Sequence, residues 1–171
     1  RGLGMCIRDR FYNLARKIAI YRVSGKEDKM RRYYIASHGK LASGMVSAVE
    51  MITGSNKGLT SFDLADYIVP DAIYNTMYKE ITEHPNDEFI IFTDLLGGSV
   101  HNSLLCLCSN KNVYLISGMN LGMILEVILN DNHLSTSEII DKAIQSSSNN
   151  TFMLNYDRVK SLNDGLKEGF E

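Results

Sequence analysis

From residue 33 onward, short apolar runs alternate with longer stretches whose apolar residues recur every three or four positions. Tyr33–Ser37 is the first run, and Ala42, Met45, Val46, Val49 and Ile52 then form a helical stripe that stops at Gly54, a natural helix C-cap. Leu59–Leu64 reads as a second strand. Pro70 and Asp71 open a helix with Ile73, Met77 and Ile81 on one face, which His84-Pro85 closes. Glu88–Thr93 carries the run FIIF, apolar on both faces as in a parallel sheet. Val100–Cys108 reads as a helix, Val113–Ser117 as a strand and Leu121–Leu129 as a helix. Ser137–Ser147 follows as a helix that groups Ile140, Ala143 and Ile144, and Thr151–Tyr156 as a last strand. This alternation predicts an α/β fold: an open, mainly parallel, doubly wound sheet with helices on both faces.

Composition adds boundaries to that pattern. The 171 residues suffice for one domain, and no apolar run approaches the roughly 20 residues of a membrane span. Residues 1–32 hold ten Lys and Arg against three acids, whereas the remainder holds eight against seventeen. An acidic body speaks against nucleic acid as the main ligand. Residues 1–29 fit no clear pattern beyond a weak stripe at Leu14, Ile18 and Tyr21, and read as a basic extension, non-native or disordered, ahead of a start at Met30. Residues 30–156 then form the domain, and residues 157–171 a polar tail or linker. Cys6, Cys106 and Cys108 make no disulfide framework, and the latter two diverge around a helix, so they read as small core residues of a reduced, cytoplasmic protein rather than metal ligands.

In sheets of this kind ligands bind beyond the carboxyl ends of the strands, where the strand order reverses. Two strand ends carry reactive groups: Ser37-His38-Gly39 after the first strand and Thr93-Asp94 after the third. If these strands are neighbours, Asp94 faces His38 across the crevice. A carboxylate accepting the Nδ1 proton fixes the imidazole tautomer and leaves Nε2 as nucleophile. Gly97, Gly98 and Ser99 then open a helix whose unpaired N–H groups suit an oxyanion. The Gly-Gly-Ser is shorter than a P-loop and lacks its Lys, which gives ATP little support. His101 reads as a polar residue on the first helical turn, and His84 and His133 as surface residues.

The motifs SHGKLASG, IFTDLLGGSVHN and ISGMNLGMILEVIL, spread over Arg31 to Tyr156, resemble the IIA domain of the mannose/fructose/sorbose class of the bacterial sugar phosphotransferase system. The resemblance implies that His38 carries a phosphoryl group, that Asp94 is its hydrogen-bonding partner, and that Leu95 and Ser99 lie on the loop receiving the phosphate. It implies a phosphorylated histidine-containing carrier protein as donor and a IIB component as acceptor, with membrane IIC and IID components engaged indirectly and no cofactor. It also implies a homodimer that exchanges its last strand, for which Thr151–Tyr156 is the candidate. Val100 stands where many members have Pro, which a first helical turn tolerates. The nearest rival is the phosphotransfer subunit serving dihydroxyacetone kinase. A hydrolase using Ser37 or Ser99 with His38 and Asp94 is a more distant one, since no Gly-x-Ser-x-Gly elbow is present. A non-catalytic binding module is a third.

Overall fold

Alternate residues of Glu88–Thr93 point to opposite faces, and all six are buried, so this strand needs cover on both sides. The computed structural model, which describes residues 29–130, 134–150 and 152–161, supplies that cover. Its strands are β1 (Arg31–Ser37), β2 (Leu59–Asp63), β3 (Glu88–Thr93) and β4 (Val113–Ser117), all parallel, in the order β2-β1-β3-β4. The helices are α1 (Leu41–Thr53), α2 (Leu64–Tyr67), α3 (Pro70–Glu83), α4 (Ser99–Leu104), α5 (Leu121–Leu129) and α6 (Thr136–Asn149), with a 3-10 turn over Leu105–Ser109. Ile90 and Phe92 pack with Ile35 against α1, α5 and α6. Phe89 and Ile91 pack with Tyr34 and Ala36 against α3 and α4. The fold is therefore the expected doubly wound α/β sheet, and its strand order reverses between β1 and β3.

The local signals that end helices behave as their chemistry requires. Gly54 closes α1 at φ +76, a conformation that costs other residues a clash at Cβ. Pro70 opens α3, whose buried face is Ile73, Met77 and Ile81. The start of α6 is set by a capping box between Ser135 and Glu138, so the helix begins at Thr136 and its buried stripe is Thr136, Ile139, Ile140 and Ala143. Ile144, expected in the core, sits on the rim, and Ile52 at the end of α1 is likewise exposed.

Three expectations are corrected. Cys106 and Cys108 are exposed rather than core residues. After Leu104 the helix tightens to three residues per turn, which stacks Leu107 beneath Leu104 in the core and turns both thiols outward. The helix over 100–108 is thus two segments of different pitch. Residues 152–155 form no strand, and residues 156–161 are helical, so the polar tail opens with a helical turn. β2 and β4 are the sheet's two edges, and the apolar run at 152–156 has no ladder partner within the described residues of this chain: Phe152 and Tyr156 are 70% and 79% exposed. Thr151, Cys6, His133 and the extension over residues 1–28 lie outside the described residues.

At the amino ends of the strands a buried carboxylate ties the layers together. Glu88 accepts from Lys29 Nζ at 2.8 Å and from the Thr136 hydroxyl of α6, and Arg31 reaches both Thr136 and the Leu134 carbonyl. Burial pushes the Glu88 carboxyl up, but Lys29, Thr136 and Arg31 together hold it below its ordinary value. A depressed carboxyl contributes stability that is complete above its unfolded value, about pH 4.3, and lost as pH falls through the folded value. Glu88→Gln should therefore lower stability at pH 7 by about 2 kcal/mol, a usual size for hydrogen bonds to a charged group. It should also flatten the loss between about pH 5 and pH 3, and thermal melts across that range check both outcomes.

Candidate functional site

The pairing of β1 with β3 puts Ala36 beside Thr93, so the residues just beyond them, His38 and Asp94, meet over the end of the sheet. Asp94 Oδ2 accepts twice from His38, from its backbone N–H at 2.9 Å and from the ring Nδ1 at 2.9 Å. Its other oxygen accepts the Leu95 N–H at 2.9 Å. Burial raises the Asp94 carboxyl, but these N–H donors outweigh it and hold the carboxyl below its usual range, so it is ionised at neutral pH. Because a carboxylate only accepts, Nδ1 carries the proton and the lone pair lies on Nε2. Ser99 Oγ stands 3.0 Å from that nitrogen. The carboxylate is sheltered, with 12% of its side chain exposed, while the imidazole keeps 43% open to solvent.

The flanking loops hold this row in place. Ser37, fully buried, turns away from His38 and accepts the Ala42 N–H at 2.7 Å. Asp63, at the end of β2, accepts the Ser43 N–H at 3.1 Å, so two strand ends cap α1 from outside the helix. Gly97 takes φ +75, and Gly98 closes a turn onto the Leu95 carbonyl at 3.1 Å. A Cβ on Gly98 would stand 3.1 Å from His38 Cε1 and 3.1 Å from the Leu95 oxygen, so a larger residue would make the ring or the loop give by a few tenths of an ångström. Asn102, which the sequence pattern did not single out, donates from Nδ2 to the Gly97 carbonyl at 2.9 Å and braces the loop. Its distance of five residues from Gly97 gives no periodic signal that would reveal it.

All the anticipated site residues lie together here: His38, Asp94, Leu95, Gly97, Gly98 and Ser99. Leu95 contributes differently than its side chain suggests, because its amide is already engaged by Asp94 and its side chain is exposed. His101 lies on the first helical turn as expected, but it is buried there, 8% exposed, with Nδ1 3.3 Å from Thr93 Oγ1. His84 is half-buried at the end of α3. Among the described residues no cluster of three or more His, Cys, Asp or Glu could hold a metal ion, and no helix is long and apolar enough to cross a membrane.

The arrangement can do two kinds of chemistry. An imidazole oriented at Nδ1, with its Nε2 lone pair meeting only the Ser99 hydroxyl, is a nucleophile toward an electrophilic centre brought from solvent once that hydroxyl turns aside. Alternatively the same imidazole serves as base for the Ser99 hydroxyl. In either case the ring position depends on Gly98. Gly98→Ala should cost about 1 kcal/mol, the lower end for overpacking, and lengthen the His38–Ser99 contact. Urea unfolding and a structure of the variant check this.

A family model described as PTS system fructose IIA component matches residues 33–144. The sorbose-specific EIIA component of the phosphotransferase system of Klebsiella pneumoniae is 30% identical over 105 residues, which span 60% of this chain and 76% of that protein. The sorbose-specific EIIA component of Lacticaseibacillus casei is 27% identical over 107 residues, 62% of this chain and 78% of the relative. The crystal structure of a phosphotransferase system EIIA component from Streptococcus agalactiae shares the fold at a TM-score of 0.65. It is 24% identical, and the likeness covers 75% of this chain and 99% of that one.

Proposed function

This chain belongs to the family of PTS system fructose IIA components, and on that premise we propose that it is a phosphoryl carrier whose acceptor atom is His38 Nε2. The observation that carries the reading is the row Asp94–His38–Ser99, in which the carboxylate holds one ring nitrogen and leaves the other facing solvent. A phosphorylated histidine-containing carrier protein docks over the crevice, and the Nε2 lone pair attacks phosphorus as the donor's P–N bond breaks. The proton on Nδ1 stays on the ring, and the Asp94 carboxylate stabilises the positive charge that spreads over it. The Ser99 hydroxyl turns from Nε2 to a phosphoryl oxygen, and the N–H groups of Gly97 and Ser99 meet the others. The reverse sequence passes the group to a IIB component, which serves membrane IIC and IID components during sugar uptake from the cytoplasmic side.

A hydrolase reading also finds its row of groups here, with Ser99 rather than Ser37 as the nucleophile. Family membership favours the carrier, and a fluorophosphonate probe that leaves Ser99 unlabelled would separate the two. Incubated with the phosphorylated carrier protein, the chain should gain one acid-labile, base-stable phosphoryl group, and His38→Ala none. Asp94→Asn should fold yet accept the group roughly 10²–10⁴-fold more slowly, the range for a positioned proton-handling group. Label on His38→Ala, or a wild-type rate in Asp94→Asn, refutes the respective role.

The active assembly in this reading is a two-fold dimer. The exposed apolar run at residues 152–156 and the open edge at β4 suit exchange between two copies, which covers both edges at once. Ending the chain after residue 150 should then leave monomers or aggregates by light scattering, whereas an intact dimer after truncation rejects the exchange.

A further inference from the structure

We propose that His101 is a positioning residue: by gripping Thr93 it sets the spacing between Asp94 and Ser99, the two groups that hold the His38 ring. This rests on the carrier reading for its rate measurement, but not for its geometry. Thr93 immediately precedes Asp94, and His101 follows Ser99 by two positions. The contact of Thr93 Oγ1 with His101 Nδ1, at 3.3 Å, therefore closes the nine residues from Thr93 to His101 into a ring with both site residues inside it. Two further bonds brace that ring, Gly98 N–H to the Leu95 carbonyl and Asn102 Nδ2 to the Gly97 carbonyl.

Hydrogen-bond bookkeeping assigns the tautomer. Thr93 Oγ1 also lies 3.3 Å from the Ile116 carbonyl, which can only accept. Both contacts are hydrogen bonds when the Thr93 proton goes to Ile116 and His101 donates its Nδ1 proton to the Thr93 oxygen. The ring of residues is thus anchored to β4 as well as β3, and Met119 N–H adds a bond to the Thr93 carbonyl at 3.0 Å. Val100 and Leu104, buried on either side of His101 along α4, hold that helix to the same face of the sheet. An apolar residue in place of His101 would keep this packing but lose this polar tie between α4 and the strand end that bears Asp94, and the Asp94–Ser99 distance would then vary.

The test compares His101→Leu, which keeps bulk without a donor, with His101→Asn, which keeps an amide nitrogen near the place of Nδ1. Thr93→Val removes the same bond from the strand side. In single-turnover phosphorylation of the full chain, His101→Leu and Thr93→Val should each be about tenfold slower at unchanged donor affinity, as small misplacements of reacting groups produce. His101→Asn should stay within about threefold of wild type, and the Leu/Val double variant should be no slower than either single one. Ring-nitrogen chemical shifts of His38, read without any donor, should report the Nδ1–H tautomer in wild type and His101→Asn, and a tautomer mixture in His101→Leu. Should wild type take no phosphoryl group at all, the carrier reading fails while the ring shifts still decide the role of His101. A His101→Leu chain that unfolds leaves Thr93→Val to decide. A wild-type rate in a folded His101→Leu or Thr93→Val chain, equal losses in the Leu and Asn variants, losses that multiply in the double variant, or unchanged ring shifts would overturn the proposal.

Discussion

One carboxylate oxygen accepting two hydrogen bonds from a single histidine is the interaction on which the site depends. Asp94 Oδ2 takes both the amide and the ring proton of His38, so it fixes the backbone and the side chain of that residue together. Either bond alone would leave a soft rotation, of the peptide or of the ring. Both at once define where Nε2 lies. The parallel pairing of β1 with β3 makes the contact available, because the two strands end one residue apart in register and their next residues share the same opening.

The rest of the architecture can be read as what keeps those two strand ends still. Four apolar residues of β3 are wholly buried, two on each face, so the strand that carries Asp94 is held from above and below. The strand that carries His38 is fixed at its far end by Arg31 and Arg32, the latter bonded to Asp87 at 2.6 Å just before β3 begins. Ser37 and Asp63 then tie the start of α1 to the ends of β1 and β2. Charged and polar groups thus frame both ends of a sheet whose middle is apolar.

Much of this was legible in the chain because the signals were local. FIIF announced a strand buried on both faces, and Pro70 and Gly54 marked helix ends through their own backbone chemistry. His38 and Asp94 were legible as strand-end residues once the strands were placed. What escaped depended on partners distant in sequence or on helix pitch. Cys106 and Cys108 read as core residues from the small apolar character of cysteine, whereas the 3-10 turn faces both thiols outward. The burial of His101 depends on Thr93 across the helix–strand boundary, and the bracing role of Asn102 on a carbonyl in a loop. An apolar, β-prone run such as residues 152–156 announces propensity only; the ladder partner it needs is not written in the run itself.

Lys29 is anchored to Glu88 at the amino ends of the strands. His38 lies at the other end of β1, about 20 Å away for a strand of this length. A surface, fluorophore or fused module joined directly at residue 29 therefore sits at the pole opposite the crevice. Immobilised through that pole, the protein offers its histidine outward, a favourable orientation for a sensor chip or affinity resin meant to capture proteins that visit it.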